Sequence, residues 1–354
     1  MAHGLTALGD FSCRATAIDL GSAMMRMYVE GRGIVASEPS AIARADDTGR
    51  MLATGTSALA LAHRECGVRL IHPIRNGVPA ETGETEDLLR YLLRTHHRRR
   101  YMSKPRMAVT VPSVINQVQL GAVRTAAFAA GARQLTLIPT PIAAAAGAGL
   151  PSHGEDVAIV ADIGAHVTDV GVVLSGELLT GHIALVGGST MDEAIAAYVR
   201  REYGLIIAPL AAETVKLAVG TATVPREDRR TLVHGKDRDT DLPRTVEVSS
   251  ADIHAAISTS LDAIVRAVRT AVAAAPPEMA GHFFSSGITL TGGGARLAGL
   301  DELIRTGTGL RARVAENAAE ATVRGAASLL RPIKGFESNR LPPLGHRRRA
   351  LARH

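Results

Sequence analysis

Two apolar runs in this chain end in the same way, in aspartate followed by a small-residue loop. Residues 15–18 run into Asp19-Leu20-Gly21-Ser22-Ala23-Met24, and apolar Met27, Tyr28 and Val29 follow. Residues 157–161 run into Asp162-Ile163-Gly164-Ala165-His166-Val167-Thr168-Asp169, and Val170 to Val173 follow. Each reads as a strand, a tight loop and a second strand, and the repetition points to a duplicated unit. Small residues in such a loop let backbone N–H groups approach an anion. Between the two hairpins, Leu88, Leu89, Leu92 and Leu93 form the stripe of an amphipathic helix over residues 84–97. A strand ends at Pro112, and Ser113 is expected to open an alanine-rich helix that Gly131 stops. A strand over 134–138 and a small-residue helix over 141–149 follow. Beyond the second hairpin, Thr190 to Glu193 reads as a capping box ahead of a helix to Tyr203. A helix over 211–219 and a charged, solvated hairpin or loop over 223–243 come next. Ser249 and Asp252 open a long helix, and residues 287–294 form a strand ending in a glycine turn. Alternating strands and helices argue for an α/β fold.

Composition narrows the class. With 354 residues, 46% of them apolar, the chain is long enough for about two cores. It has no apolar stretch of roughly 18 residues and no secretory leader pattern at its start, so a cytoplasmic protein is expected. Cys13 and Cys66 are too few for a disulfide framework and lack metal-ligand spacing. The net charge of +6 comes from residues 331–354, which read as a basic, disordered tail. Up to Leu330, basic and acidic residues balance, so nucleic acid is not an expected partner.

Five stretches offer the chemistry of a nucleotide site. Gly21, Ser22 and Ala23 present amides for phosphate, and Gly164, Ala165 and His166 occupy the matching second loop. Gly187 and Gly188 precede a helix and offer its N-terminus to an anion. Glu213 and Lys216, three apart on one helix face, suit a ribose. Gly292, Gly293, Gly294 and Ala295 would let a flat purine lie against backbone. Asp19 and Asp162, at two strand ends, are the inventory for Mg²⁺ held through water.

In that order the stretches resemble the MreB family of bacterial actin-like proteins over residues 15 to about 330. The matching segments include AIDLGSA (17–23), EGRGIVASEPS (30–40), KPRMAVTVPS (104–113), PIAAAAGAGLP (141–151), VGGSTMDEAI (186–195) and GITLTGGGARLAGLDEL (287–303). The resemblance implies the actin-like fold, with two RNase-H-like domains around a cleft that takes ATP and Mg²⁺. It places domain I at 1–143, with an insertion at about 31–80 and closure by 311–330. Domain II falls at 144–310, with an insertion at about 183–248. It further implies self-assembly into filaments on the inner face of the cytoplasmic membrane, and partnership with cell-wall synthesis proteins.

The departures from the family pattern are local. Ser22 and Met24 replace Thr and Asn in the first loop, and Ala165, His166 and Val167 replace small residues in the second. If those family glycines have φ > 0, Ala165 would cost about 1 kcal/mol and His166 more, giving a filled or reshaped pocket, although His166 offers a donor to phosphate. Where the resemblance expects a water-polarising glutamate, the chain has Thr140, a poor proton acceptor. Tyr101 and Met102, after Arg98, Arg99 and Arg100, lie where the family carries a membrane loop. The expected function is therefore an MreB-like cytoskeletal protein with degraded ATP hydrolysis. The alternatives are a non-polymerising actin-fold adaptor or a small-molecule kinase.

Overall fold

The computed structural model describes residues 15–97, 105–151 and 157–330. The membrane-loop residues 98–102 and the tail 331–354 lie outside the described residues.

Two five-stranded sheets carry the same strand order and direction. The first runs Gln134–Pro139, Arg106–Val111, Thr16–Leu20, Met24–Val29, Gly33–Pro39. The second runs Ala312–Val314, Ile288–Thr291, Val157–Ile163, Thr168–Leu174, Glu177–Ala184. In each, the first three strands are parallel and the rest antiparallel. The duplicated hairpins of the sequence are thus the middle of both sheets. Val157–Ile163 is buried along nearly its whole length, which is why it reads as a continuous apolar run.

Each half has its own core. In the first, Leu88, Leu89, Leu92 and Leu93 of the helix Thr82–His96 pack on the sheet with Val109, Val123 and Ala127. In the second, the helix Ser250–Ala273 buries Ile253, Ile257, Leu261, Ile264 and Val268, a stripe at helical spacing. Its start is the expected one: Ser249 is the N-cap, in a capping box with Asp252.

Several boundaries move. Gly33–Pro39 belongs to the first main sheet, so the small insertion begins after it, with a three-stranded sheet of Met51–Thr54, Ile42–Ala45 and Val68–Ile71. Ala312–Val314 is an edge of the second sheet, so the chain returns to the first half only with the helix Ala321–Ser328. The helix expected to open at Ser113 is Gln117–Ala130, capped by Asn116 and Gln119. Thr190 sits inside the helix Gly188–Tyr203, where its hydroxyl accepts from the Gly187 N–H. A local pattern marks a cap, but two polar residues near one helix start compete for it. The charged segment after residue 223 forms a hairpin of Arg230–Asp237 and Pro243–Ser249.

The halves meet through the crossing helices Thr140–Gly147 and Ala321–Ser328. They touch backbone to backbone: a Cβ on Gly147 would lie 1.7 Å from the Ala321 carbonyl oxygen, and one on Gly325 would lie 1.7 Å from that of Ala143. On the second sheet, Pro141 packs directly over Gly171. Among the described residues, no helix is long and apolar enough to cross a membrane.

Candidate functional site: the cleft between the two halves

The C-terminal end of each central strand delivers its aspartate to one cleft of about 850 Å³, within the usual range for small-molecule sites. The expected residues Asp19, Gly21, Ser22, Ala23, Thr140, Asp162, Gly164, Ala165, His166, Gly188, Glu213, Lys216, Gly292, Gly293 and Gly294 line it. Gly187 and Ala295 lie behind the lining, and Ala295 is fully buried.

The duplication extends to side chains. Thr110 donates its hydroxyl hydrogen to Asp19 Oδ1 at 3.0 Å, and Thr291, the strand partner of Asp162, donates to Asp162 Oδ1 at 2.8 Å. Thr322 adds a bond to the same Asp162 oxygen at 3.1 Å. Across each hairpin the register partners differ: Asp19 faces Arg26, whereas Asp162 faces Asp169. The Arg26 guanidinium stands 3.6 Å from Asp19 Oδ2. Asp169 accepts from the Ser113 N–H at 2.8 Å and from the Ser113 hydroxyl, bridging the halves. Ser113 therefore works across the cleft rather than at a helix start.

Burial dominates the electrostatics. It pushes Asp162 up to about 6, with the neighbouring Asp19 charge adding to the rise. It pushes Asp169 up to about 7 against the opposing bonds from Ser113. Asp19 is also raised by burial, offset in part by Arg26.

A stability prediction follows for Asp162. The folded protein holds its proton to about pH 6, while the ordinary carboxyl releases near 3.8. The folded state thus binds more protons between those values, and the Asp162 contribution to stability falls as pH rises through them. Asp162→Asn removes the buried charge and is expected to stabilise by about 2 kcal/mol at pH 8. The gain should shrink toward pH 5. Thermal unfolding at both pH values checks this, and a difference independent of pH would contradict it.

Three expectations need correction. The amides at the start of the helix Gly188–Tyr203 are already engaged: Gly188 N–H donates to the Gly164 carbonyl at 2.9 Å and Ser189 N–H to the Ala165 carbonyl at 2.7 Å. That segment holds the second loop in place instead of presenting amides to an anion. Lys216 does not reach toward a ribose with Glu213. Its ammonium is buried, 2.7 Å from Asp192 and donating to the Gly188 carbonyl at 2.7 Å, while Glu213 is exposed on the cleft wall. Burial raises the Asp192 carboxyl while Lys216 opposes the rise. Finally, neither Ala165 nor His166 has a positive φ, so the feared backbone cost does not arise and the cleft is not filled. The His166 Nδ1 is buried with no hydrogen-bond partner among the described residues.

The first loop remains open to an anion. Its carbonyls are turned away and tied to Ser40, whose hydroxyl donates to Gly21 at 2.6 Å and whose N–H donates to Ala23 at 2.8 Å. The Ser22 hydroxyl oxygen accepts from the Gly77 N–H at 3.0 Å, leaving its own hydrogen to donate. On the far wall, Gly292 has φ 84 and lies against the Ile163 backbone, where a Cβ would come within 2.3 Å of the carbonyl oxygen. Only glycine fits there. Thr140 lines the cleft with its hydroxyl donating to the Val111 carbonyl at 3.1 Å.

The donor set does not suit Mg²⁺ held by Asp19 and Asp162 together. Asp19 already faces a guanidinium and takes a hydroxyl bond, and Asp162 Oδ1 takes two. Among the described residues, no group of three or more acidic, histidine or cysteine side chains is arranged to hold a metal ion.

Reading the sequence alone missed Arg26, Thr110, Asp169, Asp192 and Thr322 as cleft residues, and Ser113 as the group that holds Asp169. For Arg26 and Asp169 a signal existed: each follows its hairpin aspartate at the same interval, which places it directly opposite on the return strand.

Two equivalent sheets facing one cleft across a crossing helix pair define a protein of the actin-like fold. Its sequence matches the family model of MreB/Mbl protein over residues 13–338, and the chain belongs to that family. It is 38% identical over 322 residues to the cell shape-determining protein MreB of Escherichia coli, covering 89% of this chain and 93% of that protein. To the cell shape-determining protein Mbl of Bacillus subtilis it is 33% identical over 318 residues, covering 90% and 96%. Among solved structures it is similar to MreB5 of Spiroplasma citri bound to AMPPNP, with a TM-score of 0.84 and 26% identity over 90% of this chain and 96% of that one. The MamK double helical filament, at a TM-score of 0.73 and 18% identity over 89% of this chain and 98% of that one, shares the fold.

Proposed function

We propose that this chain is a cytoskeletal protein that binds adenine nucleotide in the cleft and assembles with copies of itself into filaments. The filaments lie on the inner face of the cytoplasmic membrane and help to place cell-wall synthesis. The observation that carries the nucleotide reading is the cleft itself, with the open first loop at one end and the glycine turn Gly292 to Gly294 at the other. The AMPPNP and ADP complexes of the Spiroplasma citri relative support it. The shape-determining relatives and the MamK filament support the assembly reading.

Hydrolysis is slow in this reading. The group at the start of the helix Thr140–Gly147 is a hydroxyl whose hydrogen is bound to a carbonyl, and it offers no basic oxygen to an attacking water. Nucleotide then acts mainly as a structural ligand that ties the halves together.

Sedimentation of the purified protein with and without ATP, followed by electron microscopy, tests the assembly reading. Pelleting of ordered filaments is the expected result. Monomers under every nucleotide and lipid condition would replace it with the adaptor reading.

A further inference from the structure

The cleft has an electrostatic problem. Asp19, Asp162 and Asp169 all face it, and a polyphosphate placed at the two loops would meet them. A compensating positive charge is required there. Among the described residues, four lysine and arginine side chains line the cleft. Lys216 is held by Asp192 and the Gly188 carbonyl, and Arg229 and Arg296 are exposed on the second half. Arg26 alone among these stands at the level of the strand ends in the first half, beside the open loop Gly21 to Ala23.

Its surroundings are those of a group prepared for a ligand. The Arg26 side chain is 18% exposed, and its contact with Asp19 is a long ion pair, 3.6 Å from Nη1 to Oδ2, that holds the guanidinium only weakly. Apart from that contact, the largely buried guanidinium makes no hydrogen bond among the described residues, which is unfavourable unless a ligand supplies acceptors. A planar fork of donors matches phosphate oxygens well. The register twin in the second half is Asp169, fully engaged by Ser113, so the duplicated hairpins bring opposite charges to the cleft.

We propose that Arg26 is the polyphosphate-binding cation of this cleft, and that it allows the chain to hold a nucleoside triphosphate without a divalent metal. The inference rests on the nucleotide reading above and deepens it. The guanidinium neutralises Asp19 in the empty cleft and turns its free donors to phosphate oxygens when nucleotide enters. A metal that would otherwise bridge carboxylate and phosphate is replaced by a side chain.

The test is ATP binding to the full chain by calorimetry, in Mg²⁺ and in EDTA, with adenosine as a second ligand. Wild-type affinity for ATP is expected to change by no more than about threefold on chelation. Arg26→Met should weaken ATP in EDTA by about 10- to 100-fold while leaving adenosine unchanged, and Arg26→Lys should recover much of the loss. Loss of wild-type ATP binding in EDTA, with binding kept in Mg²⁺, would overturn the role of Arg26 and leave the nucleotide reading standing. Equal loss of adenosine and ATP in Arg26→Met would make the residue structural and end the proposal. If neither ligand binds the wild type in Mg²⁺ or EDTA, the nucleotide reading itself fails, and this inference with it.

Discussion

Glutamate in place of Thr140 is expected to raise ATP turnover by at least about tenfold. Thr140 opens the helix Thr140–Gly147 and lines the cleft, so a longer carboxylate at that position points into the same space. The helix N-terminus favours a negative charge there. A carboxylate can accept a proton from an attacking water, whereas the threonine hydroxyl has its hydrogen committed to the Val111 carbonyl. Well-placed general bases typically contribute about 10²–10⁴-fold, and a base introduced without tuning of its neighbours should recover the lower part of that range. Phosphate release under single-turnover conditions measures the chemical step apart from product release. Thr140→Gln, similar in size and without basicity, should remain at the wild-type rate. If glutamate and glutamine behave alike, the missing base is not what makes this cleft slow.

The other large effect lies at the crossing helices. Gly325→Ala should destabilise the protein by roughly 3 kcal/mol or more, as expected for overpacking against rigid backbone. The introduced methyl would need the space of the Ala143 carbonyl oxygen, and a hydrogen-bonded helix cannot move one carbonyl alone. The two helices must separate, and Thr322, on the same helix as Gly325, would be drawn from Asp162 at the cleft floor. Urea unfolding measures the loss. Gly281→Ala, in a helix where the added Cβ meets nothing within 4 Å, serves as the control and should be neutral or slightly stabilising. Comparable stability of the two variants would mean that the halves are not held by this contact.

Much of the site was legible because it is built from local pattern. A strand ending in Asp19 or Asp162 with a small-residue loop is a short-range feature, and alternation of apolar runs shows which side of it is buried. The glycine turn was legible for the same reason, since Gly292 and Gly294 lie so close to Ile163 that a side chain is excluded there. The roles of Ser113, Gly188 and Lys216 were not legible. Each was read from its local sequence, as a helix opener, an amide free for an anion and a partner of Glu213 at a ribose. Each has its partner far along the chain: Asp169 for Ser113, the Gly164 carbonyl for Gly188, and Asp192 for Lys216. A polar group that becomes buried takes the best acceptor or donor in space, and separation along the chain carries no weight in that choice.

By itself the amino-acid order determined the α/β class, the duplicated hairpins, the glycine turns and the resemblance that membership of the MreB/Mbl family bears out. These depend on periodicity and on residue types that only certain backbones accept. Tertiary structure decided which charges meet in the cleft, although the equal spacing of Arg26 and Asp169 from their aspartates left a trace in the sequence. Strand register sets Arg26 opposite Asp19 and Asp169 opposite Asp162. The close crossing of two glycine-bearing helices brings the halves to the separation at which Ser113 reaches Asp169. Burial then raises the carboxylates above their ordinary values, because removing charge from water is a property of the assembled cleft and of no single segment.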